Sequence, residues 1–243
     1  MRRLFVPPGR VEAGRVRLDG PDLHYVRDVL RLGTGAALEV FDGAGGVYAA
    51  RVGPPGDQLL LGPRREARWP AARVRLAFAL ARGERCDLVV QKATELGVTA
   101  LSPFEAARSV VHLERDRAAA RLRRWERIAA EAARQSGRAD VPRVDPPSAL
   151  AAVLEGGRGG ARLVVAYEGG GEPLADTVDR AAPEHVLIVG PEGGFTQGEV
   201  AACVAAGARL ATLGPRILRF ETAAIAALAL VEHLVGDLGG PDL

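Results

Sequence analysis

Two segments near the C-terminal end of the sequence carry the residue types of a small-molecule binding site. The first, VLIVGPEGGFTQGEV, places a glycine-rich stretch, Gly190 to Gly194, directly after an apolar run. Glycine lets a backbone approach a ligand closely, and ligands of open α/β sheets bind at the carboxyl ends of strands. Thr196 and Glu199 have the spacing of a capping box, which predicts a helix from Thr196. Taken alone, the segment is more typical of an ordinary glycine-rich turn.

The second segment, ATLGPRILRFETAAIAALAL, has a similar arrangement. An apolar run ends at Leu213–Pro215, and an irregular stretch leads into an alanine-rich helix that is apolar on nearly all sides and is therefore expected to be buried. Arg216 and Arg219 flank the entrance of this helix. The alternative interpretation is that these residues form only an ion pair and a helix N-terminus, with Glu221 in the first turn and Thr222 as the cap. The occurrence of two Gly–Pro loops after two strands favours one shared binding site.

Neither segment matches a common nucleotide-binding motif. GPEGGF differs from GxGxxG because Pro191 fixes its φ angle and the helix begins late, and the Gly-Lys-Ser/Thr of a P-loop is absent, since the only lysine is Lys92. Cys86 and Cys203 have neither metal-ligand nor disulfide spacing, so we interpret them as small buried apolar residues. We expect no metal site.

The rest of the sequence predicts the elements that position these loops. Short alternating runs (VRLDG, ALEVFDG, VYAARVG) and one helix, LHYVRDVLRL with Asp22 as its cap, predict a compact barrel before a linker at Gly62–Pro70. From Arg73 onward strands and helices alternate, which is typical of an α/β domain with a mainly parallel sheet. The predicted strands there are VRLAFAL, TALSPF, RLVVAYE, HVLIVG and RLATLG.

A long helix is predicted over residues 114–135. Its apolar face carries Leu122, Trp125, Ala129 and Ala132, and its other face carries Arg121, Arg123, Arg124 and Arg127. A last helix is predicted over residues 221–238.

Charge is unevenly distributed along the chain. The formal net charge is +2, but residues 1–81 carry +5, residues 82–143 carry +4 and residues 144–243 carry −7. A basic front half suggests contact with a polyanion; arginines that only solvate helix faces remain the alternative. The sequence contains no apolar run long enough to span a membrane, and its N-terminus lacks a signal-peptide pattern, so we expect a cytoplasmic protein that makes no membrane contact.

The two loops together resemble those of the SPOUT methyltransferases, and within that superfamily the sequence is most similar to the RsmE family. The resemblance spans nearly the whole chain. The matching fragments, in order, are HYVRDVLRLGTG, ARGER at 81–85, QKATELGV at 91–98, RWERIAAEAARQSGRADVP at 124–142, LIVGPEGGFTQGE at 187–199 and LGPRILRFETAAIAAL at 213–228. One departure is Phe220, which stands where a small polar residue is expected.

The resemblance implies a fold and an activity. The fold would be α/β: a PUA-like β-barrel for RNA binding in residues 1–68, and a SPOUT domain with a trefoil knot in residues 69–243, with the knot and cofactor site at about 163–228. The activity would be S-adenosylmethionine-dependent methylation of N3 of one specific uridine in the 16S ribosomal RNA of the small subunit, by a homodimer. A SPOUT enzyme for another RNA base or for transfer RNA, and a non-catalytic RNA-binding assembly factor, are the alternatives.

The expected reaction and the charge pattern assign roles to individual residues. Arg219 would stabilise negative charge on the base, and Glu221 or Glu192 would accept the N3 proton or orient the arginine. Cofactor binding would involve Ala166, Tyr167, Glu168, Gly190, Pro191, Glu192, Gly193, Gly194, Leu213, Gly214, Ile217, Leu218, Thr222 and Ala223. RNA binding would involve His24, Arg27, Arg31, Arg121 and Arg124. Four further residues match family motifs without an assigned role: Arg82, Lys92, Gln135 and Arg138.

Overall fold

The chain divides into two compact units. The computed structural model describes residues 2–67, 72–109, 115–157, 159–236 and 238–239. Unit 1 comprises Met1–Trp69 and Ala130–Val141, and unit 2 comprises Pro70–Ala129 and Pro142–Leu243. Residues 130–141, which the sequence analysis assigned to the second domain, group with unit 1. The Arg138 carbonyl oxygen there accepts a hydrogen bond from Arg3 Nη1 at 3.0 Å.

Unit 1 is built on a six-stranded mixed sheet. Its strands are β1 (Arg3–Phe5), β2 (Arg15–Arg17), β3 (Ala37–Phe41), β4 (Gly46–Gly53), β5 (Gln58–Leu61) and β6 (Arg65–Glu66). The order is β1-β3-β4-β5-β2, with β6 paired to β4; β1 and β3 are parallel and the other pairs are antiparallel. Alternate residues, such as Val16, Val40 and Val52, point into one buried apolar cluster. Residues 68–70 of the predicted linker lie outside the described residues.

The helix of unit 1 begins earlier than predicted. The helix α1 (Gly20–His24) continues as a π-helical turn, Tyr25–Val29. Asp19 is its cap, with a side-chain oxygen that accepts a hydrogen bond from the Asp22 N–H. The assignment of Asp22 as the cap was therefore wrong. Asp22 already lies in the first turn, where its carboxylate pairs with Arg10 at 2.5 Å.

Unit 2 is built on an eight-stranded sheet whose described pairs are all parallel. Its strands are β7 (Val74–Ala79), β8 (Ala100–Glu105), β9 (Arg143–Val144), β10 (Ser148–Ala149), β11 (Arg162–Ala166), β12 (Glu172–Pro173), β13 (His185–Val189) and β14 (Arg209–Thr212). The order is β10-β8-β7-β13-β11-β14-β12, with β9 paired to β8. This confirms the predicted parallel α/β sheet and its five main strands.

The helices of unit 2 lie between these strands. They are α2 (Arg85–Leu96), α4 (Leu150–Gly156), α5 (Leu174–Thr177), α6 (Gln197–Ala205) and α7 (Phe220–Val235), and α3 (Arg115–Ser136) contributes residues to both units. The helix α2 ends at Gly97, which has φ of 115°. On α3, Trp125 is buried and its indole N–H donates to Asp87 at 2.9 Å. Residue 114, the predicted start of α3, lies outside the described residues.

In the core of unit 2, α7 packs against β7 and β13, and α4 packs against β8. Both cysteines are buried, as predicted, and burial raises the pKa of the Cys203 thiol to about 11. Within the described residues, no helix is long and apolar enough to cross a membrane.

Candidate active site

Three strand ends meet at one edge of the unit 2 sheet. β11 lies between β13 and β14, and its last residue, Ala166, is in register with Val189 of β13 and Ala211 of β14. Because the strands are parallel, the loops that follow them leave the sheet at the same edge. The two Gly–Pro segments are therefore neighbours in space, together with the loop that begins at Tyr167.

A cavity of about 210 Å³ lies among these three loops and is called the strand-end cavity below. Its lining residues are Ala166, Tyr167, Glu168, Val189, Gly190, Pro191, Glu192, Gly194, Thr212, Leu213, Gly214, Pro215, Arg216, Ile217, Leu218, Phe220 and Ala223. All residues predicted to bind the cofactor are among them except Gly193 and Thr222. The Gly193 carbonyl oxygen instead accepts a hydrogen bond from Arg108 Nη1 at 3.0 Å.

Two glycines of the loop after β13 have other side chains directly against them. A β-carbon built on Gly190 would lie 2.7 Å from a ring carbon of Phe195. Gly194 has φ of +68°, and a β-carbon there would overlap the Glu168 carboxylate. Gly190 therefore requires glycine for space, and Gly194 requires it for its backbone conformation.

The predicted capping box ends this loop and is confirmed. The Thr196 side-chain oxygen accepts from the Glu199 N–H at 3.2 Å, and the Glu199 carboxylate accepts from the Thr196 N–H at 2.8 Å. The Glu199 carboxylate also accepts from the Ala107 N–H at 2.8 Å. Burial alone would raise the pKa of Glu199, but these hydrogen bonds outweigh it and hold that pKa below its usual value.

The loop after β14 presents its backbone to the cavity. Gly214 has φ of +104°, and its N–H donates to the Thr212 hydroxyl at 3.2 Å. Within the described part of the chain, the backbone N–H groups of Leu213, Ile217 and Leu218 have no hydrogen-bond partner. Free main-chain donors beside apolar side chains are typical of a slot that binds a planar heterocycle.

The charged residues of the lining fit a ligand with both signs of charge. Glu168 and Glu192 suit a positive centre, and Arg216 suits a carboxylate. The strand-end cavity thus combines free main-chain donors with charged side chains of both signs. A group of three or more His, Cys, Asp or Glu residues that suits a metal ion is absent from the described residues.

A second cavity, of about 480 Å³, lies between three helices of the same unit. Its lining residues are Glu84, Arg85, Asp87, Leu88, Gln91, Arg124, Ile128 and Glu221. We call it the helix cavity. Arg85 in its lining forms an ion pair with Glu192, which lines the strand-end cavity.

The predicted catalytic residues lie at the start of α7 and outside the lining of the strand-end cavity. Arg219 is the residue before the helix and is exposed. Glu221 lines the helix cavity, and its Oε2 atom is buried without a hydrogen-bond partner in the described structure. Thr222 is exposed within the helix, so its interpretation as a cap was wrong; the chain turns into the helix three residues earlier.

Most residues predicted to bind RNA already have a partner in the protein. His24 and Arg27 both contact Asp28, and hydrogen bonds from Arg27 and His24 hold the pKa of Asp28 below its usual value. Arg124 pairs with Asp87, and the Arg121 guanidinium lies 5.8 Å from the Trp125 ring centroid.

Some lining residues were missed by the sequence analysis. In the strand-end cavity they are Val189, Thr212, Pro215, Arg216 and Phe220. All of them adjoin predicted residues in the sequence, so the strand-to-loop boundary was an available signal. Phe220 is buried and lies 6.5 Å from the Phe78 ring, which agrees with the expectation that it has no polar role. Arg85 had no local signal, because its partner is far away in sequence.

Comparisons with known proteins identify relatives of the chain. The family described as "RNA methyltransferase domain" matches residues 67–232, and the "RNA methyltransferase PUA domain" matches residues 18–61. A Mycobacterium bovis protein named ribosomal RNA small subunit methyltransferase E is 36% identical over 228 residues, which cover 82% of this chain and 87% of that protein. The Bacillus subtilis protein of the same name is 33% identical over 240 residues and 94% of each chain.

A solved structure is also similar over nearly the whole chain. It is the ribosomal RNA small subunit methyltransferase E from Neisseria gonorrhoeae bound to S-adenosyl methionine. It is 32% identical, with a TM-score of 0.87, and the match covers 96% of this chain and 98% of that chain.

Proposed function

This chain belongs to the ribosomal RNA small subunit methyltransferase E family, as its motifs predicted, and we propose that it methylates N3 of one specific uridine in 16S ribosomal RNA. S-adenosylmethionine is the methyl donor of this reaction. The observation that carries the proposal is the strand-end cavity, in which both Gly–Pro loops and the end of β11 surround one space.

The lining of this cavity fits the donor group by group. The unpaired N–H groups of Leu213, Ile217 and Leu218 suit the adenine ring. Glu168 suits the ribose hydroxyls and the positive groups, and Arg216 suits the methionine carboxylate. Glu192 also lines the cavity, while its carboxylate pairs with Arg85. The donor supplies a methyl group on a positively charged sulfur, so the protein contributes mainly position and electrostatics.

Uridine N3 is a poor nucleophile until its proton leaves. In the proposal Glu221 accepts this proton, because its Oε2 atom has no partner within the described residues, whereas Glu192 is already paired with Arg85. Arg219 stabilises the negative charge that develops on the ring. The N3 edge is hidden in a base pair, so the target uridine is extruded from its stack.

The finer features of the assembly belong to the same proposal. Residues 1–68 form a PUA-like barrel, residues 69–243 form a SPOUT domain, and a trefoil knot lies at about 163–228. The knot is implied by the family resemblance, and the order β13-β11-β14 places the three strands of the proposed knot side by side. The enzyme acts as a homodimer on the small subunit in the cytoplasm, with phosphate contacts from His24, Arg27, Arg31, Arg121 and Arg124.

The test is methylation of small subunits from a strain that lacks the modification. Labelled S-adenosylmethionine is added with the protein, and digested RNA is analysed by nucleoside mass spectrometry. We expect 3-methyluridine at one position. Label on another base, or on transfer RNA, would favour the alternative substrate. A lack of heat in calorimetry with S-adenosylmethionine, together with unlabelled RNA, would favour a non-catalytic assembly factor.

A further inference from the structure

We propose that the helix cavity binds the pyrimidine ring of the target nucleotide, with Arg85 and Glu221 reading its Watson–Crick edge. This inference rests on the proposed function and extends it, because it assigns a separate site to the base. The cavity has a volume of about 480 Å³, within the size range of small-molecule sites. Its lining combines apolar Leu88 and Ile128 with charged groups, as a flat heterocycle with a polar edge requires.

The helix cavity adjoins the strand-end cavity at two places. Phe220 lines the strand-end cavity and the next residue, Glu221, lines the helix cavity. Glu192 lines the strand-end cavity and its ion-pair partner, Arg85, lines the helix cavity. The two cavities thus share a boundary at Phe220–Glu221 and at the Arg85–Glu192 pair, and in the proposal the base meets the methyl donor at this boundary.

Most charges in the helix cavity are already neutralised by neighbours. The Arg124 guanidinium pairs with Asp87 at 2.6 Å and with Glu84 at 3.6 Å, and Asp87 also accepts from the Trp125 indole. Glu221 differs, because its buried Oε2 atom has no hydrogen-bond partner in the described structure. A buried carboxylate oxygen without a donor is unfavourable, and a ligand N–H that enters the cavity would satisfy it.

Arg85 is held in place and still has free donors. Only its Nη1 atom takes part in the ion pair with Glu192, and within the described residues its Nε and Nη2 groups have no partner. Glu192 thus acts as a positioning residue, which orients the guanidinium without using all of it. A guanidinium has five N–H donors, so Arg85 is able to bind a carbonyl oxygen while it stays paired.

These two groups match uracil and reject cytosine. Uracil presents O2, the N3–H and O4 along this edge, so in the proposal Arg85 donates to O4 and Glu221 accepts from N3–H. Cytosine has no proton at N3, so Glu221 has no donor to accept from. Its amino group is a hydrogen-bond donor, and it would face the donors of Arg85. In the reaction the N3 proton passes to Glu221, and the N3 electron pair forms the bond to the methyl carbon. The electron pair of the broken carbon–sulfur bond remains on sulfur, which becomes a neutral thioether.

The first experiment tests whether Glu221 accepts the N3 proton, by changing the acidity of that proton in the substrate. Small subunits are reconstituted with 16S RNA that contains uridine or 5-fluorouridine, whose N3–H is more acidic. With uridine, we expect Glu221→Gln to lower turnover on the order of 100-fold or more, the usual size of a proton-transfer contribution. Replacing uridine by 5-fluorouridine should raise the turnover of Glu221→Gln about tenfold more than it raises the turnover of the wild type. Equal gains for both proteins, or a variant as active as the wild type on uridine, would overturn the assignment.

The second experiment blocks the cavity without removing a reactive group. Leu88 is 40% exposed and lines the helix cavity, so Leu88→Trp should fill the cavity while the protein folds normally. Val204 on α6 is 51% exposed and does not line the cavity, so Val204→Trp is the matched control. We expect Leu88→Trp to lower turnover at least tenfold with unchanged calorimetric binding of S-adenosylmethionine, and Val204→Trp to change neither. Full turnover by a folded Leu88→Trp protein would exclude a base in this cavity.

The third experiment tests selectivity. A cytidine replaces the target uridine in the reconstituted subunit, and methylation at N3 is measured for the wild type and for Arg85→Gln. We expect the ratio of uridine to cytidine turnover to fall at least tenfold in Arg85→Gln, and an unchanged ratio would remove Arg85 from the site. A wild type that leaves uridine subunits unmethylated would reject the proposed function itself. Normal wild-type activity with unaffected variants would reject only the helix cavity as the base site.

Discussion

Gly194, in the loop after β13, lies so close to the end of β11 that a β-carbon on it would overlap the Glu168 carboxylate. The Glu168 side chain, from the loop after β11, therefore packs directly against the backbone of the loop after β13. We predict that Gly194→Ala weakens S-adenosylmethionine binding at least tenfold. The free energy of unfolding should also fall, by roughly 1–2 kcal/mol, because alanine at φ of +68° is strained.

Gly198→Ala is the control for this prediction. Gly198 lies in the first turn of α6, and a β-carbon there meets no atom within 4 Å. This variant should bind the cofactor normally and gain stability by roughly 0.4–1 kcal/mol. Calorimetric titration and urea unfolding measure the two effects. Equal affinities for Gly194→Ala and the wild type would show that the loop packing does not shape the site.

The Glu199 carboxylate predicts a pH-dependent contribution to stability. Its pKa in the folded state is below the ordinary value of 4.5, so the stabilisation is fully present above pH 4.5 and is lost as pH falls through the folded-state pKa. Glu199→Gln should therefore be less stable than the wild type by about 1 kcal/mol at pH 7, and the difference should shrink in acid. Urea unfolding at several pH values measures it.

The matched control is Glu155→Gln, because Glu155 is exposed on α4. This variant should unfold like the wild type at every pH. A Glu199→Gln deficit that stays constant into acid would contradict the role of the ionised carboxylate.

Arg219 is predicted to act in turnover and not in cofactor binding. It is exposed directly before α7 and does not line the strand-end cavity. Arg219→Ala should leave the dissociation constant of S-adenosylmethionine within about twofold. It should lower turnover on the order of 100-fold because, in the proposed function, the Arg219 guanidinium stabilises the negative charge that develops on the base. Calorimetry and methylation of undermethylated subunits measure these quantities.

Arg216→Ala is the comparison for Arg219, since Arg216 lines the strand-end cavity three residues earlier. It should raise the cofactor dissociation constant more than it lowers saturated turnover. If Arg219→Ala turns over at the wild-type rate, Arg219 has no part in the chemistry.

In the proposed homodimer, we expect the partner subunit to bury an apolar residue of α7 that is exposed in the single chain. Leu230 is 47% exposed on this helix, which packs against α2 within unit 2. Leu230→Asp should shift the protein to a monomer in sedimentation experiments, because burying an unpaired carboxylate in an interface is costly. Val204→Asp, at a similarly exposed position on α6, should stay dimeric. A dimeric Leu230→Asp protein would place the interface elsewhere.

Much of the fold was predictable from local sequence. Hydrophobic period and capping act over a few residues, so the five main strands, the capping box at Thr196 and the buried face of α3 around Trp125 followed from the sequence. The short elements β9, β10, β12, α4 and α5 were not predicted, because they contain too few residues to show a period. The cap of α1 was misplaced by three residues because Asp19 and Asp22 are both good caps, and only packing shows that Asp22 pairs with Arg10.

The sequence by itself determined that two glycine-rich bends follow strands of one α/β unit, because glycine and proline restrict the backbone where they occur. Only the tertiary structure decided that β11 lies between β13 and β14, which brings Glu168 to Gly194 and closes the strand-end cavity. It also decided that Arg85 reaches Glu192 across 107 residues of chain and that Glu221 faces a separate cavity. Strand order and such pairings depend on the packing of the whole sheet and its helices, so no local pattern encodes them.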